Sequence, residues 1–318
     1  MSLQPSDLDI NCVLQLAFGR LIPTTPIPLP PGQHDGGLAY ALHGKGVPPR
    51  VILLRYRPRL RAQAFRAFTV MRVLRDRQFP VPDVYYMGWS YHTRYVLLLV
   101  EYVEGRSEEG MPHAFFARVG TDFAHTLARL HLLRWDPLPD LAMLPFRYAF
   151  HELAEEVRRY ETPQLQEILE WLVMRVSRIT ELPYTLVHGN YTLQNALAER
   201  TRIIAVQGWE QAALADPRFD VGYTSAVLGS FGIALSDQFL EAYSAVAGEL
   251  PDRVFWEVFS ALRLLTRVAR SISTLREPQR QRFLERVGPA WQGLLQFVER
   301  RSGLRLIARD LPGGPGSG

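Results

Sequence analysis

LVHGNYTLQNALAERTRIIAVQGWEQAALADPRFDVGY, residues 186–223, is the stretch on which the reading of this chain turns. It gathers His188, Asn190, Asn195, Gly208, Glu210, Asp216 and Asp220 into three short clusters: HGNYTLQN (188–195), VQGWE (206–210) and ADPRFDVG (215–222). Polar groups that dense between apolar runs mark a candidate site, and what flanks them decides which kind.

Upstream, residues 36–103 read as strands with one helix. GGLAYAL alternates, HGKG is a turn, and VILLRYR is a second run bounded by Pro48, Pro49 and Pro58. RAQAFRAFTVMRVLRDR sets Phe65, Phe68, Met71 and Leu74 at helical spacing, and Pro80 and Pro82 stop it. VYYMGWS and RYVLLLVEYVEG then read as paired strands, followed by a hinge at Gly105 and SEEG. Beyond residue 113 the period becomes helical. Phe115, Val119, Phe123, Leu127 and Leu130 share a face, and Thr162 is the expected N-cap of a helix with Pro163 at its first position. Phe255, Val258, Phe259, Leu262 and Leu265 mark another helix, and PAWQGLLQFVERR a last one. The expected class is α+β. Residues 1–103 form a small antiparallel-sheet lobe with one helix, 104–309 a larger, mainly helical lobe, and 310–318 a Gly/Pro-rich mobile tail.

Composition narrows the function classes. At 318 residues, 47% hydrophobic and 21% charged, the chain can bury a full core and has no disordered bias. Cys12 is the single cysteine, so no internal disulfide can form and a reducing compartment fits. The amino terminus lacks signal-peptide character and no run reaches 18 apolar residues, so a cytoplasmic protein without a membrane span is expected. Of 36 basic side chains only Lys45 is lysine. Residues 50–77 carry nine arginines against Asp76, and 263–309 eleven against Glu277, Glu285 and Glu299, a local net charge of +8 in each case. Solvated helix faces explain such blocks, and an anionic or protein partner is the functional alternative. No zinc-ligand spacing, RNA-binding aromatic signature or heptad repeat is present, which argues against a nucleic-acid module.

With that layout, the three clusters resemble the aminoglycoside phosphotransferase and choline kinase family, relatives of the protein kinases. The family signature is HGDxxxxN, a strand ending in DWE, and GDPxxDLA. LARLHLLRWDP (127–137), VEYVEG (100–105) and QFPVPDV (78–84) resemble further family segments in the expected order, and the likeness covers residues 30 to 225. It implies a two-lobed protein-kinase-like fold and ATP-dependent transfer of phosphate to a small-molecule hydroxyl, with Mg²⁺.

Carried over residue by residue, the resemblance also implies damage. Asn190 stands at the general-base position, where a carboxamide accepts a hydrogen bond but takes no proton; loss of a positioned base costs about 10²–10⁴ in rate. Gly208 stands at the principal metal-ligand position and offers no donor. Glu210 is two residues on; on a strand it would face the same side about 6–7 Å farther along, a substitute ligand or, on the favoured reading, simply the glutamate of the DWE motif. Asn195 keeps the second metal position. Arg55 takes the phosphate-lysine position, and Ala67 that of its glutamate partner. Gly32 and Gly36, in PPGQHDGGLAY, are candidates to cradle phosphates, and Glu101 and Tyr102 in the hinge to meet the nucleotide. His188, Asp216 and Asp220 are expected to be structural. The favoured reading is a pseudoenzyme that binds a small molecule, nucleotide or partner in the cleft between lobes, with ATP and Mg²⁺ binding weak or absent. The alternatives are an active phosphotransferase for an antibiotic, choline-like or sugar hydroxyl, and an interaction protein that uses its arginine-rich surfaces.

Overall fold

The computed structural model describes residues 7–28, 37–90, 94–108, 110, 112–135, 141–160 and 162–306; Gly32, Gly36, Glu109 of SEEG and the 310–318 tail lie outside the described residues. In chain order the first elements are α1 (Asp7–Phe18), β1 (Thr24–Ile27), β2 (Gly37–Leu42), β3 (Arg50–Tyr56), α2 (Arg61–Asp76), β4 (Val84–Trp89) and β5 (Val96–Glu101). After them come α3 (Pro112–Leu132), α4 (Phe146–Val157), α5 (Pro163–Val176), β6 (Thr185–Val187), β7 (Ala196–Glu199), β8 (Arg202–Val206) and β9 (Ala213–Ala215). The chain ends in α6 (Arg218–Phe231), α7 (Ile233–Ala247), α8 (Arg253–Thr274) and α9 (Gln279–Ser302).

These elements form two compact units, Met1–Met111 with Leu193–Ala212, and Pro112–Thr192 with Ala213–Gly318. The division is not linear. Residues 193–212, which a linear reading places with the helices, group with the sheet. Hydrogen bonds hold them there: Arg106 and Ala198 exchange backbone bonds of 2.9 and 2.8 Å, and the Val206 amide donates to Pro80 at 2.8 Å.

The sheet-rich unit is built on one antiparallel sheet in the order β1-β2-β3-β5-β4. In β3 and β5, side chains two residues apart share a face. Val51, Leu53, Leu97 and Leu99 pack with Ile10, Val13 and Leu14 of α1, a helix absent from the strand-based reading of this region. Each such buried side chain contributes roughly 1.5–3 kcal/mol. Helix α2 buries Ala64, Ala67, Val70, Met71 and Leu74. The expected stripe is therefore partly displaced, since Phe65 is 39% exposed. Small residues at 64 and 67 allow the helix backbone a close approach, and Phe68 instead carries the Arg72 guanidinium 5.4 Å from its ring centre.

The helical unit follows its apolar periods more closely. The Phe115, Val119, Phe123, Leu127 and Leu130 stripe of α3 is buried, as is Phe255, Val258, Phe259, Leu262 and Leu265 of α8. Phe146 touches Phe255, Trp256 and Phe259, forming an aromatic centre for the core. Thr162 does precede α5, but its side chain makes no capping hydrogen bond. The last helix starts ten residues before PAW and holds Pro289 internally. Gly222 is required where α6 crosses α8: a Cβ there would meet the Trp256 carbonyl oxygen at 2.5 Å. Strands β6 and β9 pair antiparallel, Thr185 opposite Ala215 and Val187 opposite Ala213, so the HGN segment leaves one end of the pair and Asp216 lies at the other, beside Leu182. No helix among the described residues is long and apolar enough to cross a membrane.

Candidate active site

In the helical unit the HGN loop is organised around one buried carboxylate. Asp220, wholly buried in the first turn of α6, accepts from the amides of His188 at 2.6 Å and Gly189 at 2.8 Å. His131 of α3 adds its Nε2 at 3.3 Å, and its Nδ1 lies 2.8 Å from the Tyr243 hydroxyl. Burial alone pushes the Asp220 pKa up, but the hydrogen bond and charge of His131, with those of His188, hold it below the usual value. His188 is itself buried, and its Nδ1 accepts from the Asn190 amide at 3.1 Å. Asp216 is used up in the same manner: it accepts from the Leu182 amide at 2.8 Å and from Arg218 Nε at 2.9 Å and Nη2 at 2.7 Å. Both aspartates are bound by groups of the loops around them.

Asn190 is half-buried at the end of this loop. Its Oδ1 accepts from the Tyr223 hydroxyl at 2.8 Å, and that hydroxyl receives Arg267 Nη1 at 3.5 Å. His131, Tyr223 and Arg267 are residues of the candidate site that sequence reasoning did not single out. His131 sits in the LARLH segment, the one signal that could have marked it. Tyr223 and Arg267 carry no motif.

In the sheet-rich unit, β7 and β8 form a hairpin that leads into Gly208, and residues 209–211 are a single 3-10 turn rather than a continuing strand. Glu210 is therefore not placed by strand alternation. Its Oε1 accepts from the Tyr56 hydroxyl at 2.7 Å, and its carbonyl accepts from Arg66 Nη1 at 2.9 Å. Burial, then the charge and hydrogen bond of Glu210, push the Tyr56 pKa far above its ordinary value, so the hydroxyl stays protonated and donating. Trp209 anchors the turn, fully buried, with its Nε1 on the Val206 carbonyl at 2.8 Å and its ring edge-on to Phe79.

Gly208 has φ +85° and ψ +40°, in the left-handed region that favours glycine. A Cβ at this position would lie 2.9 Å from Asn195 Oδ1. The Asn195 side chain thus covers the α-carbon of Gly208. Mg²⁺ is normally held by one or two carboxylates together with phosphate oxygens. Residues 193–212 offer only Glu199, exposed at the hairpin end, and Glu210, bound by Tyr56. Among the described residues, no three His, Cys, Asp or Glu side chains are gathered to hold a metal ion. This donor set does not fit Mg²⁺.

The remaining small-lobe positions also have internal partners. Arg55 pairs with Leu97 in register and shares the sheet face of Val51 and Leu53, with its guanidinium 5.0 Å from the Tyr95 ring centre. Ala67 is buried in α2. Glu101 accepts from the Asp83 amide at 3.0 Å, and Tyr102 lies under the Arg50 guanidinium, which also pairs with Glu104. Lys45 is exposed in its turn.

The phosphotransferase enzyme family profile (APH) matches residues 36–259. Among solved structures, one from Ralstonia eutropha JMP134 with a provisional aminoglycoside phosphotransferase assignment is 18% identical, covering 93% of this chain and 98% of that one at a TM-score of 0.68. Spectinomycin phosphotransferase APH(9)-Ia, in complex with ADP and spectinomycin, is 11% identical over 96% of this chain and 100% of its own, with a TM-score of 0.67. A thermostable mutant of APH(4)-Ia, in a ternary complex with AMP-PNP and hygromycin B, is 16% identical over 92% and 98%, at 0.63. A short stretch of 64 residues is 34% identical to mouse acyl-CoA dehydrogenase family member 10, spanning 20% of this chain and 6% of that protein. The three structures share the protein-kinase-like fold, and on the profile match over most of its length the chain belongs to the phosphotransferase enzyme family.

Proposed function

We propose that this chain is a kinase-fold pseudoenzyme: it keeps the family scaffold, binds a small molecule, and has lost efficient phosphoryl transfer from ATP. The observation that carries this reading is Gly208 in a left-handed conformation with the Asn195 side chain lying over it. Phosphoryl transfer depends on positioned charge: a cation on the phosphates, metal ligands and a carboxylate on the attacking hydroxyl. Here the base position holds a carboxamide that accepts from Tyr223, and Glu210, two residues beyond Gly208, accepts from Tyr56. The residues that organise the loops, Asp216 and Asp220, remain. That is the pattern left when turnover is lost and folding is kept.

Calorimetric titration with ATP, with and without Mg²⁺, tests the proposal. Weak binding that is indifferent to the metal is expected. Micromolar binding that requires Mg²⁺ would overturn it and favour an active phosphotransferase, a reading supported by ADP and AMP-PNP in structures of similar fold.

A further inference from the structure

We propose that Arg263 and Arg267 of α8, beside the Tyr223–Asn190 pair, form a subsite for the phosphate or carboxylate of a small anionic ligand. This deepens the functional reading above and rests on it, since Asn190 ends the same loop. The two arginines are four residues apart, so they project from one helical face. The Arg263 guanidinium lies 5.6 Å from the Phe219 ring centre and 5.8 Å from that of Phe259, and it makes no hydrogen bond or ion pair with any described residue. Arg267 meets the Tyr223 hydroxyl at 3.5 Å. Burial and the like charge of Arg267 lower the Arg263 pKa, yet a guanidinium stays charged at every physiological pH. The result is two half-buried like charges held close together.

No acid among the described residues forms an ion pair with either of them. Asp220 faces Arg263 electrostatically, but its oxygens already accept from His188, Gly189 and His131. Asp216 is bound by Arg218, and Glu156 is paired with Arg270 at 3.1 Å. Tyr223 stands between the arginines and the loop with its proton directed at Asn190. An aspartate at 190 would place a negative charge here; the asparagine does not. Rigid guanidinium forks with aromatic backing suit oxyanions and repel polycations. A cationic aminoglycoside is therefore the wrong ligand class for this position.

Isothermal titration of the full chain with orthophosphate, citrate and hygromycin B, without nucleotide or metal, is the test. Saturable binding of orthophosphate or citrate is expected, the tighter of the two identifying the phosphate or carboxylate class. Arg267→Gln should weaken it at least about tenfold, the loss of a charge-assisted hydrogen bond, and Arg263→Gln/Arg267→Gln should abolish it. Arg286→Gln, from the same basic block but on exposed α9 surface, should bind like wild type. Melting curves without anion report folding. If Arg263→Gln unfolds through loss of its phenylalanine stacking, Arg267→Gln alone decides. Absent saturable anion binding, equal binding by Arg267→Gln, or tighter binding of hygromycin B would each overturn the proposal. ATP turnover by the wild type would instead sink the pseudoenzyme reading and leave this titration standing.

Discussion

Replacing Asp220 with alanine separates the scaffold from the chemistry. Its carboxylate is fully buried and accepts three hydrogen bonds, from the His188 and Gly189 amides and from His131 Nε2. Alanine leaves those donors buried without their acceptor. Breaking one partner out of a buried charged set costs about 3–5 kcal/mol, against a total of about 5–15 kcal/mol for an ordinary protein. At about 2–4 °C per kcal/mol for a unit of this size, melting should fall by roughly 6–20 °C. Asn190→Ala, by contrast, loses the acceptor of one Tyr223 hydrogen bond on a half-exposed group, about 0.5–1.5 kcal/mol. Asp220→Asn tests charge apart from shape, because its amide end must point a donor at a donor; it should fall nearer to alanine than to wild type. Denaturant unfolding gives the stabilities, and hydrogen exchange at the His188 and Gly189 amides locates the loss. Similar small losses for Asp220→Ala and Asn190→Ala, with both amides still protected, would refute the bracing role.

The same carboxylate sets an acid limit. Its folded pKa is depressed, so its contribution is fully present above the unfolded value of about 3.9 and is lost as pH falls through the folded value. Stability measured below about pH 4 should therefore drop in wild type, and Asp220→Asn should remove that part of the slope. Gly208→Asp must adopt the left-handed backbone and displace Asn195, so a loss of about 1–2 kcal/mol is expected on thermal melting. Asn190→Asp/Gly208→Asp should gain more Mg²⁺-dependent ATP stabilisation than the two single variants summed, because base and metal ligand act as a unit; simple additivity would count against the pseudoenzyme reading. Tyr56→Phe removes the donor that occupies Glu210 and should cost about 0.5–1.5 kcal/mol while increasing the Mg²⁺-dependent thermal shift from ATP. A decrease would mean that the Tyr56–Glu210 pair serves nucleotide binding.

Much of the fold was legible because its cues are local. Helical stripes such as Phe115 to Leu130 and the alternation of β2 report on which face is buried, and burial follows from nearby residues. The three ordered clusters between 188 and 222 exposed the family, and with it the positions of Asn190 and Gly208. Two local readings failed for a tertiary reason. Phe65 yielded its place to alanines because close helix packing there favours small side chains, and residues 209–211 turned because Trp209 had to enter the core.

By itself the sequence determined that positions 190 and 208 carry Asn and Gly where the family signature has aspartates, since no fold can supply a carboxylate that the chain does not encode. Whether another group fills the vacancy was decided only in three dimensions. Glu210 could have served as a substitute until Tyr56, 154 residues away in sequence, was found to occupy it. Asn195 lies over Gly208 only because the hairpin between them folds back, and Arg267 of α8 reaches Tyr223 of α6 because Gly222 lets the two helices cross closely. Such contacts join residues whose separation along the chain carries no periodic signal. They depend on which surfaces pack together, and that is a property of the folded core.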